Sequence, residues 1–573
     1  MKWMDRRTFL RVLAASSAAS LIGVHGCAGD AQDRTFPQGI ASADPTPDGI
    51  VLWTRVETDR DREAVRYEVA LDESFVQIVA TGDTTAEREH DHTVRLAIDG
   101  LASSTTYWYR FEARGVISPI GRTKTAPAPG DDAPLRIALT CCQDYYGRWF
   151  HSWRALLDRD VDFVLFIGDY IYETIGHLNT VAPADRSLEI PDGLELYDPL
   201  KGKRAALTLE DYRSLYRQYR RDPDLRAVHA RFPFVTIWDD HEFANDCWKD
   251  HSTDFDDEMG DEENRPRREA ATRAWYEHTP MRPEFDPAAG FPLDVSIQRV
   301  LRWGRHVDLV LLDERYFRDD HLVPEGPIDR EVGHFLQYSA FGSRTFVIKD
   351  VFDAREVLVQ PTMLGAPQRD WAIAALIGSQ ATWKLLASPL VMAQLAVDLT
   401  AYDTLPDMFR KKFYFKTDQW DGFRSERRAL FEACSAVENL VVLSGDLHGS
   451  YAAELYVDFD APTTPIAVEY AAPAISAAPV NVQLEAVVAG NAFLQSFGLG
   501  NLIPAFDANV LATNPHLLHS ESTRNGLAIV DVSAAEVRVT FVEVDEVTVP
   551  TGGVAREVAF RTPAGSRRIE PIT

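Results

Sequence analysis

The chain is poor in the features that mark the simplest structural classes. Its 573 residues include five cysteines, Cys27, Cys141, Cys142, Cys247 and Cys434, too few for a disulfide framework. After the first thirty residues no run of ~20 uncharged apolar residues occurs, so no transmembrane helix is expected there. Basic charge is short: 59 Lys and Arg face 87 Asp and Glu, a net charge of −28. That balance disfavours a general nucleic-acid-binding surface, which needs a basic footprint. No P-loop stands at a strand–helix junction, which disfavours a nucleotide-driven kinase. Gly-X-Ser-X-Gly is absent, which argues against an α/β-hydrolase esterase. The acid excess names no partner, because acidic surfaces usually serve solubility. It does raise the question of whether some carboxylates hold cations.

What is present is an ordinary globular composition, 45% hydrophobic and 25% charged. The length allows ~3 or 4 units, or one large α/β core with attachments. Residues 1–30 read as an export signal. Asp5-Arg6-Arg7-Thr8-Phe9-Leu10 precedes an Ala/Ser-rich apolar run from Val12 to Val24, a charged n-region and a short h-region. The paired arginines point to the twin-arginine translocation machinery as a partner, and to a periplasmic, extracellular or cell-surface destination. Leu21 to Gly26 before Cys27 has the form of a lipoprotein cleavage site. Two outcomes stay open, a lipid anchor at Cys27 or ordinary cleavage shortly after it.

Residues 35–128 read as a β-sandwich. Gly49–Val56, Val65–Leu71 and Thr93–Ile98 have strand composition, punctuated by turns. Leu101, a short polar turn and then Tyr107 at the start of a strand make a tyrosine-corner arrangement, as in fibronectin III/Ig-like sandwiches. Thr125–Asp132 is a linker by composition. From 133 to 573 strands and helices alternate, which argues for a layered α/β domain. Expected strands are Leu135–Thr140, Phe163–Ile167, Phe234–Ile237, Val307–Leu312 and Leu440–Leu443. Expected helices are Tyr146–Leu157, Leu209–Arg221, Arg267–His278, Gln368–Ile377 and Arg424–Val437. Cys434 falls on the apolar side of the last helix and reads as a core residue. The acidic run Asp254–Glu263 lacks the spacing of a helical calcium loop and reads as a solvated loop.

Four segments place polar or metal-binding residues directly after an apolar strand. They are Cys141-Cys142-Gln143, Gly168-Asp169-Tyr170-Ile171-Tyr172-Glu173, Asp239-Asp240-His241-Glu242-Phe243-Ala244-Asn245 and Gly445-Asp446-Leu447-His448. Residues at the carboxyl ends of adjacent strands converge across one crevice. Asp and Asn oxygens suit hard cations, whereas thiolate, phenolate and imidazole suit a transition metal, so the mixture points to more than one kind of metal. Asp446 and His448 are two apart and share a side if extended. Cys141 and Cys142 alternate, so one can line the site while the other packs. Asp239 or Asp240 is either a ligand or a support for His241.

Gly-Asp, then Asp-Asp-His-Glu, then Gly-Asp-X-His resembles the metallophosphoesterases. Cys142-Gln143 stands where their first Asp-X-His is usual, and Asp239-Asp240-His241-Glu242 replaces Gly-Asn-His. These departures are similar to those of the PhoD-like alkaline phosphatase and phosphodiesterase family. So are Phe36–Pro45, Tyr276–Arg282, Trp420-Asp421-Gly422-Phe423 and Asn514-Pro515-His516. The resemblance implies an α/β fold: an N-terminal fibronectin III/Ig-like sandwich, then a metallophosphoesterase core of mixed β-sheets flanked by helices. It implies Fe3+ and Ca2+ as cofactors. Cys142, Asp169, Tyr172, Asp446 and His448 would be candidate iron-side ligands, with Asp169 bridging and the division of Asp446 and His448 between the metals left open. Asp239, Asp240 and Asn245 would serve calcium, and His241 would stabilise or protonate the leaving oxygen. The expected activity is hydrolysis of small-molecule or lipid phosphate esters, as a phosphatase or a phospholipase D-like phosphodiesterase. A surface-binding protein with an inactive core is the rival from another class. Leu518 stands where the family often has Lys, and Ala472–Ser476 is a loose version of the family's Thr-Pro-Ser-Ile-Ser. Both departures fall on the side where substrate would enter.

Overall fold

The computed structural model describes residues 31–175, 182–195, 204–252, 262–323 and 344–572. The export signal with Cys27, and most of the acidic run, residues 254–261, lie outside the described residues. Among the described residues no helix is long and apolar enough to cross a membrane.

Two large sheets carry the fold. In the first, Leu135–Thr140, Phe163–Phe166 and Phe234–Thr236 run parallel at the centre. On one side the chain's end adds four antiparallel strands, Gly526–Val532, Glu536–Val544, Val554–Pro563 and Glu570–Ile572. On the other side, Ile40–Thr46 pairs parallel with Phe234–Thr236 and is followed by Gly49–Arg55 and Thr93–Asp99. One sheet of the N-terminal sandwich is therefore an extension of the core sheet. The other sandwich sheet holds Arg62–Ala70, Ile78–Glu87, Thr106–Ala113 and two short strands. Ile50, Leu52, Val65, Val69, Tyr109 and Phe111 fill the space between them. The tyrosine corner forms, with the Ala102 N–H donating to Tyr107 Oη at 2.8 Å.

The second large sheet has seven strands. Val307–Leu311, Trp383–Ala387, Leu440–Ser444 and Ala467–Ala471 run parallel, flanked by antiparallel neighbours. Their alternation explains the layering. Leu309, Leu311, Leu385, Val441 and Leu443 face the first sheet, whereas Val310, Leu386 and Val442 face a second core under the outer helices. A strand with both faces covered is expected to be largely apolar, and these are, apart from Asp308, Lys384, Ser444 and Glu469.

Three expected helices are shorter than their patterns; that from Leu209 ends at Tyr219. The first spans His151–Leu157 rather than starting at Tyr146. Asp144 captures the Tyr146 N–H and the Arg148 guanidinium, and Gly147 takes φ +73, so the intervening residues form a loop. The helix from Arg424 ends at Ala433, with Cys434 capping it. Cys141, Cys142, Cys247 and Cys434 are all buried and free.

Candidate metal centre and its comparison with known proteins

The carboxyl ends of the parallel strands from both sheets meet at one place. The sheets are joined there by a bridge between Cys141 and Ala474, and the Ile475 and Ser476 N–H groups donate to the Cys141 and Cys142 carbonyls. The loose Ala472–Ser476 segment is thus a backbone support of the thiol loop. Gly445 leaves no room for a side chain, since a Cβ would lie 2.6 Å from Cys141 Sγ. Cys141 packs under that glycine and Cys142 turns the other way, toward the site.

The strand exits share an unusual backbone. Cys142, Asp169, Asp446 and His448 have φ of +57, +60, +58 and +50. For non-glycine residues this left-handed conformation costs roughly 1–3 kcal/mol each, and such strain gathers at functional sites. Gly168 precedes Asp169 at φ +122, where an added Cβ would meet Asp239 Cβ at 2.4 Å and its N at 2.7 Å. Glu242 sets the loop by accepting the N–H groups of Asp169, Tyr170 and Asp239 at 3.0, 2.7 and 2.9 Å.

The side chains so presented fall into overlapping groups. The ligating atoms of Cys142, Asp169 and His448 lie within 4.8 Å of one another. Tyr172 Oη joins them, 3.2 Å from Asp169 Oδ2 and 3.2 Å from His448 Nε2. The Ala478 carbonyl accepts from His448 Nδ1 at 2.8 Å, which leaves Nε2 facing the group. A second group holds Asp169, Asp239, Asp240 and Asp446, again within 4.8 Å. Asp169 belongs to both. Asp446 groups with the carboxylates and His448 with the thiol and phenol, a division that the resemblance left open. Asn245 lies on the loop after Asp240, and its N–H donates to Glu173 Oε1 at 2.9 Å.

Charge explains what this arrangement needs. Burial, then neighbouring Asp240, pushes the Asp169 carboxyl well above its ordinary range. Burial, then Cys141, raises the Cys142 thiol, and burial, then Asp169, raises the Tyr172 phenol. Asp239 is also raised by burial, although Arg315 Nε donates to its Oδ1 at 2.6 Å; its Oδ2 is buried without a hydrogen-bond partner. Burial lowers His448 to about 3, keeping it a neutral donor. Anionic donors that cannot ionise together without help are the donors a multivalent cation stabilises. Thiol, phenol and imidazole form one side and carboxylates the other, so these residues fit the two kinds of metal.

A third carboxylate group, Asp240, Asp246 and Asp418, has a different character. Arg315 binds Asp418 at 3.2 and 3.0 Å, Arg318 at 3.0 Å and His321 at 2.6 Å. Lys416 Nζ lies 3.7 Å from Asp246 and 3.4 Å from Asp446. Burial opposes ionisation of Asp418, but Arg315 and Arg318 outweigh it and hold its carboxyl well below the ordinary range. Protein cations already balance this group.

His241 stands beside the carboxylates, with a ring nitrogen within 4.8 Å of ligand atoms of Asp169 and Asp240. Its Nδ1 is 2.6 Å from Glu173 Oε2, and its ring centroid is 4.1 Å from that of Tyr172. Burial works against its protonation, but Glu173, Asp240 and Asp169 raise it well above the ordinary imidazole value. Asp240 accepts the His241 N–H at 2.9 Å, and Glu173 orients the ring. Sequence reasoning quoted Glu173 but gave it no role, and it missed Arg315, Asp418 and Lys416. His278 pairs with Asp91 at 3.1 Å, and His516 bonds the Gln394 carbonyl; both are structural. Cys247 packs beneath Asp240.

Comparison with known proteins gives the family and the fold. The family profile of PhoD-like phosphatases matches residues 137–541, and that of the PhoD-like phosphatase N-terminal domain matches residues 19–127. The chain belongs to the PhoD-like phosphatase family. Alkaline phosphatase D of Bacillus subtilis (strain 168) is 32% identical over 441 residues, 74% of this chain. The match spans 66% of that relative's length, just under two thirds. A solved structure of PhoD is similar with a TM-score of 0.73 and 26% identity, covering 94% of this chain and 92% of its own. The mixed α/β layering with a sandwich-like N-terminal part is thus the fold of a PhoD-like phosphatase.

Proposed function

We propose that the chain is an exported, metal-dependent phosphoric ester hydrolase that releases phosphate from monoesters, diesters or both. The observation that carries this is the convergence of seven buried or half-buried donors, Cys142, Asp169, Tyr172, Asp239, Asp240, Asp446 and His448, beside a His241 held by Glu173. Family membership supports the same reading. The donor chemistry favours Fe3+ beside Cys142, Tyr172 and His448, and Ca2+ beside Asp239, Asp240, Asp446 and Asn245, with Asp169 between. Bound there, such ions would polarise phosphoryl oxygens and lower the pKa of a coordinated water.

The chain's own residues supply the remainder. Glu173 holds His241 by Nδ1, so Nε2 is the nitrogen offered to a leaving oxygen. The surrounding carboxylates raise the ring's pKa above the ordinary imidazole value, which favours a proton-donating role. Arg315 fixes Asp239 and Asp418 and resists rearrangement of the carboxylates as charge enters the site. The twin-arginine segment supports export to the periplasm, the cell surface or beyond, and Cys27 is the residue a lipid anchor would use.

The reading is tested by phosphate release from an aryl monoester and a methyl aryl diester. The assay uses protein purified without added metal, before and after chelation. Turnover of at least one ester that chelation abolishes is expected. Failure to hydrolyse either, in protein that retains its metals, would overturn the proposal.

A further inference from the structure

The cations on the carboxylate side of the centre are already engaged. Arg315 gives Nε to Asp239 and both Nη atoms to Asp418. Arg318 meets Asp418 as well, and Lys416 lies between Asp246 and Asp446. Arg148 differs. Gly147, at φ +73, turns the chain so that the Arg148 N–H donates to the Tyr145 carbonyl and the side chain folds back on Asp144. There Nε donates to Asp144 Oδ2 at 3.1 Å. The other Asp144 oxygen accepts the Tyr146 N–H at 2.9 Å, so the carboxylate is not free to cover the rest of the guanidinium. Arg148 is only 6% exposed. Yet neither Nη atom bonds to a described residue, and neither is sealed from solvent. A guanidinium set this deep with its fork open faces a cleft.

Backbone contacts place that cleft at the thiol side of the centre. Asp144 stands two residues after Cys142, and its carbonyl accepts Ser476 Oγ at 2.7 Å. The Ser476 and Ala477 N–H groups donate to the Cys142 carbonyl at 3.3 and 3.1 Å. The Ala478 carbonyl accepts from His448 Nδ1 at 2.8 Å. Three consecutive residues thus hold Asp144, Cys142 and His448 together. From the other side, Tyr219 Oη accepts the N–H of Tyr145 at 3.3 Å and that of Tyr172 at 3.0 Å. The charges also meet. Burial chiefly lowers His448, and the Arg148 charge adds to that effect. Burial raises the Asp144 carboxyl against the pull of Arg148 and His241.

We infer that Arg148 binds the phosphoryl group of the ester through its two Nη atoms, and favours the doubly charged monoester over the singly charged diester. The inference rests on the hydrolase reading and assigns that site a substrate charge. A guanidinium fork matches two oxygens of one phosphoryl group. Its attraction grows with the charge of its partner, and a monoester carries more charge than a diester at neutral and alkaline pH.

The test measures calorimetric Kd for phenylphosphonate, which is doubly charged, and for its singly charged methyl ester. In parallel, kcat/KM is measured for an aryl monoester and a methyl aryl diester. Parent, Arg148→Met and Arg148→Lys are compared at equal iron and calcium content. In the Met variant, phenylphosphonate Kd should rise and monoester kcat/KM should fall by roughly 10- to 150-fold, with smaller changes for the methyl ester and the diester. Arg148→Lys keeps a cation on Asp144 and guards against misfolding. It lacks the fork, so its phenylphosphonate Kd should still rise by roughly threefold or more. Unchanged phenylphosphonate binding in either variant at parental metal content would overturn the assignment, as would equal losses for the doubly and singly charged ligands. A parent that binds phenylphosphonate through Arg148 but hydrolyses neither ester would remove the hydrolase reading and leave the role of Arg148 standing.

Discussion

Replacing Glu173 by Gln changes one charge and almost no volume. Glu173 is fully buried, with Oε2 2.6 Å from His241 Nδ1 and Oε1 accepting the Asn245 N–H at 2.9 Å. The amide oxygen of Gln can keep the second bond, so the loop should stay folded. What is lost is a charge-assisted hydrogen bond, about 1.5–3 kcal/mol, which corresponds to a fall in kcat/KM of roughly 10- to 150-fold. The sign of the pH effect follows from the same contact. His241 is held above its ordinary pKa against the effect of burial, with Glu173 the strongest raising influence. Removing that carboxylate lowers the pKa, so the alkaline decline in kcat/KM should begin at lower pH. If His241 delivers the proton to the leaving oxygen, the loss must be larger for an alkyl ester than for a nitrophenyl ester, whose leaving group needs no proton. The assay compares the two esters over a range of pH, with metal content checked for each preparation. Equal losses for both esters, or no loss at constant metal content, would refute the role given to His241.

Three further outcomes follow from the structure. Asp91 is shared by Arg55, Arg217 and His278 at 3.1, 2.6 and 3.1 Å where the sandwich meets the core. Burial raises its carboxyl, but these partners hold it well below the usual range. Its contribution is therefore present above the unfolded carboxylate pKa and lost below it. Asp91→Asn should cost ~3–5 kcal/mol in urea unfolding at neutral pH, with the gap closing below pH ~4. Gly168→Ala should destabilise by at least ~1–3 kcal/mol and lower metal occupancy, because its Cβ would strike Asp239; thermal unfolding and metal analysis read both. Arg315→Met leaves Asp239 without its buried cationic partner and leaves Asp418 to Arg318 and His321 alone. It should lower unfolding stability by ~3–5 kcal/mol, with part of the loss recovered on adding a divalent cation.

The ends of the strands were legible because their chemistry is local: an apolar run followed by Gly-Asp or Gly-Asp-X-His reads the same before and after folding. The supporting charges were not. Arg315 and Asp418 are 103 residues apart and follow different strands, and neither has a neighbour that marks it. Glu173 lay inside a quoted segment, yet its role depends on reaching His241 from 68 residues away. The partition of Asp446 from His448 depends on left-handed backbone at both positions, which residue identity does not predict for Asp or His. Sandwich strands were readable from alternation and the tyrosine corner. Their continuation into the core sheet rests on Ala43 pairing with Phe234, a contact between distant segments that no local pattern specifies.

The central claim is that the thiol, phenol, imidazole and carboxylates form a metal centre of two chemical kinds. The most direct measurement is the iron and calcium content of the as-purified protein, together with its visible spectrum, for the parent and for Cys142→Ala. The account predicts bound iron and calcium with a coloured parent, and loss of iron and colour in the variant with calcium retained. A parent without iron, or a variant with the parent's iron content and spectrum, would contradict it.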